Sequence, residues 1–269
     1  MHGKTTLMTK LAKNFIDQGE KIFFFNGEQS KEDFKNNLFI LSSSSKDLVS
    51  LQYKSSCVFD NYVNQKVAQE LNSKYGDKMF IYNNEISRDI NTLLGVMDEV
   101  RITKGVRVFF LDNFMQIDIN SENVFQEQSN IMEKLRTYAV NKNVHIHLVA
   151  HPRKTERFQF RLSLFDVAGS SNMINKAYNV IVIMRTDNLD FNSSDVRKLQ
   201  RDMINEGYDL TQSDAVLEIL KTKGNRCGLV GLNYDRILKT FTPQPQLTNE
   251  AKDELQKELM SNKEVKCRF

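Results

Sequence analysis

The feature that most constrains this chain is a series of short, almost unbroken apolar runs. Residues 21–25 (KIFFF), 78–82 (KMFIY), 106–111 (VRVFFL), 144–150 (VHIHLVA) and 180–184 (VIVIM) are each of strand length. A strand with one face in water alternates apolar and polar residues, whereas a strand buried on both faces reads as a near-continuous apolar run. Helical stripes lie among these runs. Leu7, Leu11, Phe15 and Ile16 share a helix face after Gly3, and Ile131, Met132, Leu135, Tyr138 and Ala139 form a stripe between the third and fourth runs. Doubly buried strands interleaved with helices make a parallel sheet covered by helices. After about residue 210 the pattern changes: residues 215–221, 228–234 and 238–242 read as strands joined by short turns. The expected fold class is therefore α/β, a mostly parallel central sheet flanked by helices, with antiparallel strands added near the C-terminus. It spans residues 1–245. Residues 246–269 are highly charged and read as a tail, a frayed helix or disordered.

Bulk properties exclude several alternatives. The 269 residues suffice for one large domain with a sizeable core. With 40% hydrophobic and 26% charged residues, and few Gly and Pro, this is neither a linker nor a low-complexity chain. Cys57, Cys227 and Cys267 are odd in number and far apart, which argues against a zinc site or a disulfide framework and fits a reducing cytoplasm. No apolar run approaches a membrane span, and the N-terminus lacks the apolar core of a signal peptide. A net charge of +3 permits a nucleic-acid partner without arguing for one.

Four local signals carry chemistry. Gly3-Lys4-Thr5-Thr6 opens the first helix. In a phosphate-binding loop the backbone amides cradle phosphates, the lysine reaches the β- and γ-phosphates, and the first hydroxyl binds Mg²⁺. Asp112 ends the run 106–111, the Walker B arrangement, where a carboxylate supports the metal. Glu28 lies just past the run 21–25, where it would polarise an attacking water as general base. His151 ends the run 144–150, where it would feel the γ-phosphate, and Pro152, Arg153 and Lys154 follow it. Each has a plainer reading: a chance tetrapeptide, a capping Asp, a surface Glu, a loop His beside a solvated basic turn. The order of the four, each at the end of a strand or the start of a helix, is what points to one site.

The ordered set resembles the motor domain of the DnaB family of hexameric replicative DNA helicases, including the phage and Twinkle-like members. Asn26-Gly27-Glu28-Gln29-Ser30 is similar to the family's x-x-E-x-S segment, and Leu111-Asp112-Asn113-Phe114-Met115-Gln116 to its Walker B strand. Val149-Ala150-His151-Pro152-Arg153-Lys154 looks like the His form of the next strand end. Asp166-Val167-Ala168-Gly169-Ser170 and Asn175-Lys176-Ala177-Tyr178-Asn179-Val180-Ile181 resemble the loop, helix and strand that line the central channel. Arg185 falls where the family often has a basic residue near the nucleotide. Residues 219–226 (ILKTKGNR) resemble the segment that supplies a trans-acting arginine finger and its companion lysine. Ungapped, Lys221 and Lys223 take the two positions. With a one-residue gap Arg226 becomes the finger, the choice favoured here because lysine is a poor substitute for a forked guanidinium.

The resemblance covers roughly residues 1–242. It implies a RecA-like ATPase fold, ATP and Mg²⁺ as ligands, and hydrolysis coupled to translocation on single-stranded DNA. Lys4 and Thr5 would bind phosphate and Mg²⁺, Asp112 the metal, and Arg153, Lys154 and Lys176 the DNA backbone. The implied partners are further copies of the chain in a ring, by family analogy a hexamer, together with a primase and a helicase loader, in the cytoplasm of a bacterial or phage-infected cell. The complete G-x-x-x-x-G-K-[ST] motif is not present, because the sequence starts two residues before its second glycine. The strand feeding the loop and the loop's first half are therefore expected to be missing. That would leave the strand 106–111 and another without a hydrogen-bonding partner, and ATP binding weak. Two rival readings stand beside this one: a RecA-like recombinase or related ATPase, and a catalytically dead fragment that joins rings or binds DNA.

Overall fold

Five consecutive buried residues, IFFFN, form the strand around which the first sheet is assembled. The structure is a computed structural model that describes residues 3–52, 59–83, 87–119, 121–153, 161–167, 171–187, 189–224 and 226–264. In chain order the first half comprises α1 (Lys4–Asp17), β1 (Ile22–Asn26), α2 (Lys31–Leu41), β2 (Leu48–Gln52), β3 (Phe59–Val63), α3 (Gln65–Tyr75), β4 (Met79–Ile81) and α4 (Ile90–Lys104). The second half comprises β5 (Val108–Asp112), α5 (Val124–Lys142), β6 (His145–Leu148), α6 (Ser171–Lys176), β7 (Val180–Arg185), α7 (Ser194–Glu206), β8 (Ala215–Lys221), β9 (Gly228–Asp235), β10 (Thr240–Pro243) and α8 (Asn249–Glu264).

Strands β4, β1, β5 and β6 lie side by side in that order, all parallel. Successive strand residues point to opposite faces, so an all-apolar strand feeds two cores. Ile22, Phe24, Val108 and Phe110 pack with Ala12 and Ile16 of α1, Phe34 and Leu38 of α2 and Tyr75 of α3. Phe23, Phe25, Phe109 and Leu111 pack with Leu93 and Met97 of α4 and Ile131 and Leu135 of α5. The His147 ring stacks on Phe110 with centroids 4.7 Å apart, and burial pulls its pKa down to about 4, so at neutral pH it is an uncharged core ring.

The helices start and stop where short polar side chains and left-handed residues allow. Ser30, Asp89, Asn123 and Ser193 each accept a bond from the backbone N–H three residues on, capping α2, α4, α5 and α7. Asn143 (φ 51°) and Gly207 (φ 93°) end α5 and α7 in the left-handed region.

Strands β7 to β10 form a second, antiparallel sheet in the order β10-β9-β8-β7. This differs in detail from the expected antiparallel extension of the parallel sheet: among the described residues no ladder joins β6 to β7. The helix α1 spans the two sheets instead. Its Met8, Ala12 and Ile16 belong to the first core, while Leu7 packs with Ile183, Leu232 and Phe241 of the second sheet. The expectation that the strand 106–111 lacks a partner is corrected: β5 is hydrogen-bonded on both sides, to β1 and to β6. Within the tail, Asn249–Glu264 is helical as α8 and packs on α7, with Gln256 donating to Asn205 at 3.2 Å. No helix among the described residues is long and apolar enough to cross a membrane.

One ion cluster ties the segment after β6 to the second sheet. Arg161 forks over the Glu218 carboxylate of β8 (Nε 3.1 Å, Nη2 2.6 Å) and reaches Asp202 of α7 with Nη1 (2.6 Å). Glu218 is only 7% exposed. Removing the guanidinium would strand a nearly buried carboxylate. Arg161→Ala is expected to cost about 1 to 3 kcal/mol, read as a drop of several degrees in Tm. Arg161→Lys should recover only part, because an ammonium cannot fork over the carboxylate. Thermal denaturation of the two variants checks this, and an unchanged Tm in Arg161→Ala refutes it.

Candidate functional site

The parallel strands all end at one edge, and the residues just beyond them meet there. Helix α1 starts at Gly3, whose φ of 82° is left-handed. A Cβ on Gly3 would lie 2.9 Å from the Phe241 ring and 3.3 Å from Ile183, so both backbone conformation and space call for glycine. That close approach aims the first turn of α1, with Lys4, Thr5 and Thr6, at the ends of β1 and β5. The hydroxyl that arrives is that of Thr5, which donates to Asp112 Oδ2 at 3.0 Å.

Asn26 and Asp112 are register partners at the ends of β1 and β5, and Gly27 N donates to Asp112 O at 2.6 Å. The Asn26 side chain accepts from the backbone N–H groups of Glu28 (3.2 Å) and Gln29 (2.9 Å), a local turn that presents Glu28 at the edge. Gly27 is held close to the turn after β5: a Cβ there would collide with the Gln116 side chain. From β6, His151 Nε2 comes within 2.9 Å of Glu28 Oε1. Lys4, Thr5, Glu28, Asp112 and His151, which the sequence singled out separately, are thus neighbours.

Electrostatics at this edge are set by burial. Desolvation lowers the Lys4 pKa, opposed by the charges of Glu28 and Asp112. Desolvation raises the Asp112 pKa; the Thr5 hydrogen bond and the Lys4 charge oppose it and Glu28 reinforces it. Asp112 is 1% exposed, and its Oδ1 is buried without a hydrogen-bond partner. An orphaned carboxylate oxygen beside a threonine hydroxyl suits a hard divalent cation such as Mg²⁺, which takes one or two protein oxygens and completes its shell with phosphate and water. Among the described residues there is no cluster of three or more His, Cys, Asp and Glu of the kind that makes a dedicated metal cage.

The remaining candidates lie elsewhere. Lys176 donates to Ser129 O (2.8 Å) and pairs with Glu133 (3.1 Å). Lys221 donates to the carbonyls of Ile174 (2.8 Å) and Asn175 (3.1 Å), so it caps the end of α6. The Lys223 ammonium sits 4.6 Å from the Tyr178 ring centroid. With Arg136 these three lysines line a cleft of about 230 Å³. Arg226 is not in that cleft; it pairs with Glu206 at 3.1 Å and its side chain is 86% exposed. Arg185 pairs with Asp187 at 2.6 Å. Arg153 is tied to the segment before α6, its N bonded to Asp166 O (2.6 Å) and its Nε to Val167 O (3.1 Å). Lys154 and residues 168–170 lie outside the described residues.

Two residues in these surroundings escape the sequence reading. Arg136 looks like one more charge on a solvated helix face and carries no signal. Asn113 carries one: it is a polar residue between Asp112 and the aromatic Phe114. It is 1% exposed, and its Nδ2 contacts both Glu28 Oε1 and His151 Nε2.

A model of the DnaB-like helicase C-terminal domain family matches residues 1–243. Among solved structures, one ATPase domain is similar with a TM-score of 0.67 and 16% identity, over 91% of this chain and 81% of that one. A DnaB-like replicative helicase, studied with its primase interactions, is similar with a TM-score of 0.67 and 16% identity, over 90% of this chain and 56% of that one. At such identities the likeness is one of fold. No curated protein sequence matches the chain significantly.

The buried Asp112 yields a pH-dependent prediction. Its pKa is raised in the folded state, so the fold holds this proton more tightly than the unfolded chain does. Stability therefore falls as pH rises from the ordinary carboxylate value through the raised one, and the penalty is fully present at higher pH. Asp112→Asn, isosteric and uncharged, is expected to raise Tm at pH 7 and to lose that advantage at pH 3. It should also abolish any stabilisation by Mg²⁺ with nucleotide. Melting curves at the two pH values check the sign, and a lower Tm at pH 7 contradicts it.

Proposed function

The chain belongs to the DnaB-like helicase C-terminal domain family, and from that premise we propose that it is the motor of an ATP-dependent replicative DNA helicase, coupling ATP hydrolysis to translocation on single-stranded DNA and duplex unwinding. The observation that carries this reading is the meeting of Lys4, Thr5, Glu28, Asp112 and His151 at one sheet edge, beside the start of α1.

In this mechanism the first-turn amides of α1 and the Lys4 ammonium bind the terminal phosphates of ATP. Thr5 and Asp112 would hold Mg²⁺, which would supply neutralisation of the phosphate charge. Glu28 accepts a proton from the attacking water, whose oxygen bonds to the γ-phosphorus as the bond to the bridging oxygen breaks and ADP leaves. His151 registers the γ-phosphate and passes its presence to Arg153 and the segment beyond, a role supported by its contact with Glu28. Arg153, Lys154 and Lys176 contact the DNA backbone, electrostatically and without sequence preference. The chain works as a ring of identical copies, and a primase and a loader are its proposed partners.

Glu28→Gln tests the core of the reading. ATP binding should persist while turnover falls by a factor on the order of 10² to 10⁴, with strand separation lost in parallel. Phosphate release and a fork-unwinding assay measure both, and unchanged turnover removes Glu28 from the site.

The trans-acting cation remains Arg226 in this proposal. Its ion pair with Glu206 is solvent-exposed, of a kind worth about 0 to 1 kcal/mol, and exchanges cheaply for a neighbour's phosphate. Arg226→Ala should retain ATP binding and lower hydrolysis by roughly 10³ or more. Mixing with Lys4→Ala subunits should partly restore it, since those subunits still offer the arginine. A defect in Lys223→Ala with none in Arg226→Ala would transfer the role to Lys223.

A further inference from the structure

Asn113 sits directly after Asp112, where β5 passes into a 3₁₀ turn spanning Phe114–Gln116. Its side-chain oxygen accepts from Met115 N at 2.8 Å, capping that turn. This bond sets the orientation of the amide: with Oδ1 committed to the backbone, Nδ2 must face the other way. There it meets Glu28 Oε1 in a very close contact and His151 Nε2 at 2.9 Å, while Oε1 and Nε2 are themselves 2.9 Å apart. The backbone locks the same corner: Phe114 N donates to Val149 O at 2.8 Å, holding the turn against the end of β6 just before His151.

Three polar atoms at mutual hydrogen-bond distance cannot all be satisfied in one protonation state. Nδ2 has two protons, one for the carboxylate and one for the imidazole. If Nε2 accepts from Asn113, no proton lies between Nε2 and Oε1, and two lone pairs face each other. If Nε2 carries the proton and donates to Glu28, the second Asn113 proton faces a nitrogen with no lone pair to offer. The amide and the imidazole therefore share one carboxylate oxygen, and the contact between Nδ2 and Nε2 is the one left unsatisfied when the imidazole donates to Glu28.

We propose that Asn113 is a positioning residue that couples Glu28 to His151, its amide N–H group holding the carboxylate at the point where the imidazole also arrives. Movement of His151 toward a bound phosphate then changes the hydrogen bonding of Glu28 through the shared corner. The catalytic part of this inference rests on the proposed function; the three-body hold does not.

The test uses Asn113→Asp. An aspartate keeps the oxygen that caps Met115 N, so the turn survives, but it has no N–H to offer Glu28 or His151. Two readouts apply. The ¹⁵N shifts of the His151 imidazole, assigned with a His151→Gln control, should differ between wild type and Asn113→Asp at the same pH, whereas unchanged shifts overturn the hold whether or not the protein hydrolyses ATP. In turnover, Asn113→Asp should lower kcat by about 10-fold or more, with KM for ATP within about 2-fold, the loss expected when the proton-accepting carboxylate is misplaced. In the His151→Gln background the same substitution should cost much less than in wild type, because the partner it couples is gone. A merely structural role would make the two substitutions multiply, and that outcome, or an unchanged kcat, overturns the coupling. The functional reading fails separately, if Glu28→Gln leaves turnover unchanged. If Glu28→Gln abolishes turnover while Asn113→Asp does not alter it, only this inference is lost.

Discussion

The site depends on the parallel pairing of β1 with β5, in a register that sets Asn26 opposite Asp112. Parallel strands end at a common edge, so the residues following each of them are delivered to one place. Glu28 follows β1, Asp112 closes β5 and His151 follows β6. The ladder continues past the strands through the Gly27 N to Asp112 O bond, which anchors the start of the turn carrying Glu28 to the end of β5. A slip of one residue in this register would exchange the faces of every phenylalanine in β1 or β5 and turn the Asp112 side chain away from Thr5. The two-sided aromatic core makes such a slip prohibitively costly, since each large apolar side chain contributes on the order of 1.5 to 3 kcal/mol by its burial.

The same core bears the cost of the site. Asp112 is buried with one oxygen unsatisfied, and Lys4 is partly desolvated beside it. Neither arrangement favours folding. Both leave a place that a phosphate and a divalent cation would complete, which is where the proposed chemistry sits. Helix α1 links this place to the rest of the chain. Its Gly3 end is wedged against Phe241 and Ile183 of the antiparallel sheet, and its body lies on the parallel one. The Gly3 end of α1 is thereby positioned by both sheets at once, and the sheet that touches Gly3 also carries Lys221 and leads to Lys223 and Arg226.

Apolar runs make the sheet strands readable because burial on both faces leaves its mark on every residue. The runs at 21–25 and 106–111 correspond to β1 and β5, buried at every residue, with ends shifted by one or two residues. The run at 180–184 forms β7, which is not buried on both faces: it lies in the antiparallel sheet with Ile181 51% exposed. The helix α7, with sequence SDVRKLQRDMINE, carries a period instead of a run: Val196, Leu199, Met203 and Ile204, all buried, recur at helical spacing among charged residues. The hairpin of β2 and β3 likewise has no doubly buried run, because it lies beside α2 and not within the sheet.

By itself, the sequence determined the class of fold, the order of the strands of the parallel sheet along the chain and the residue types that end them. Those properties are local: each is read from a handful of adjacent side chains and their period. The tertiary structure alone decided that β5 has partners on both sides, that Lys221 caps α6, that Arg226 turns to Glu206, and that Asn113 stands between Glu28 and His151. Glu28 and Asn113 are separated by 85 residues, and Asn113 and His151 by 38. No periodicity connects positions so far apart; strand register and the turn that orients one side-chain amide do.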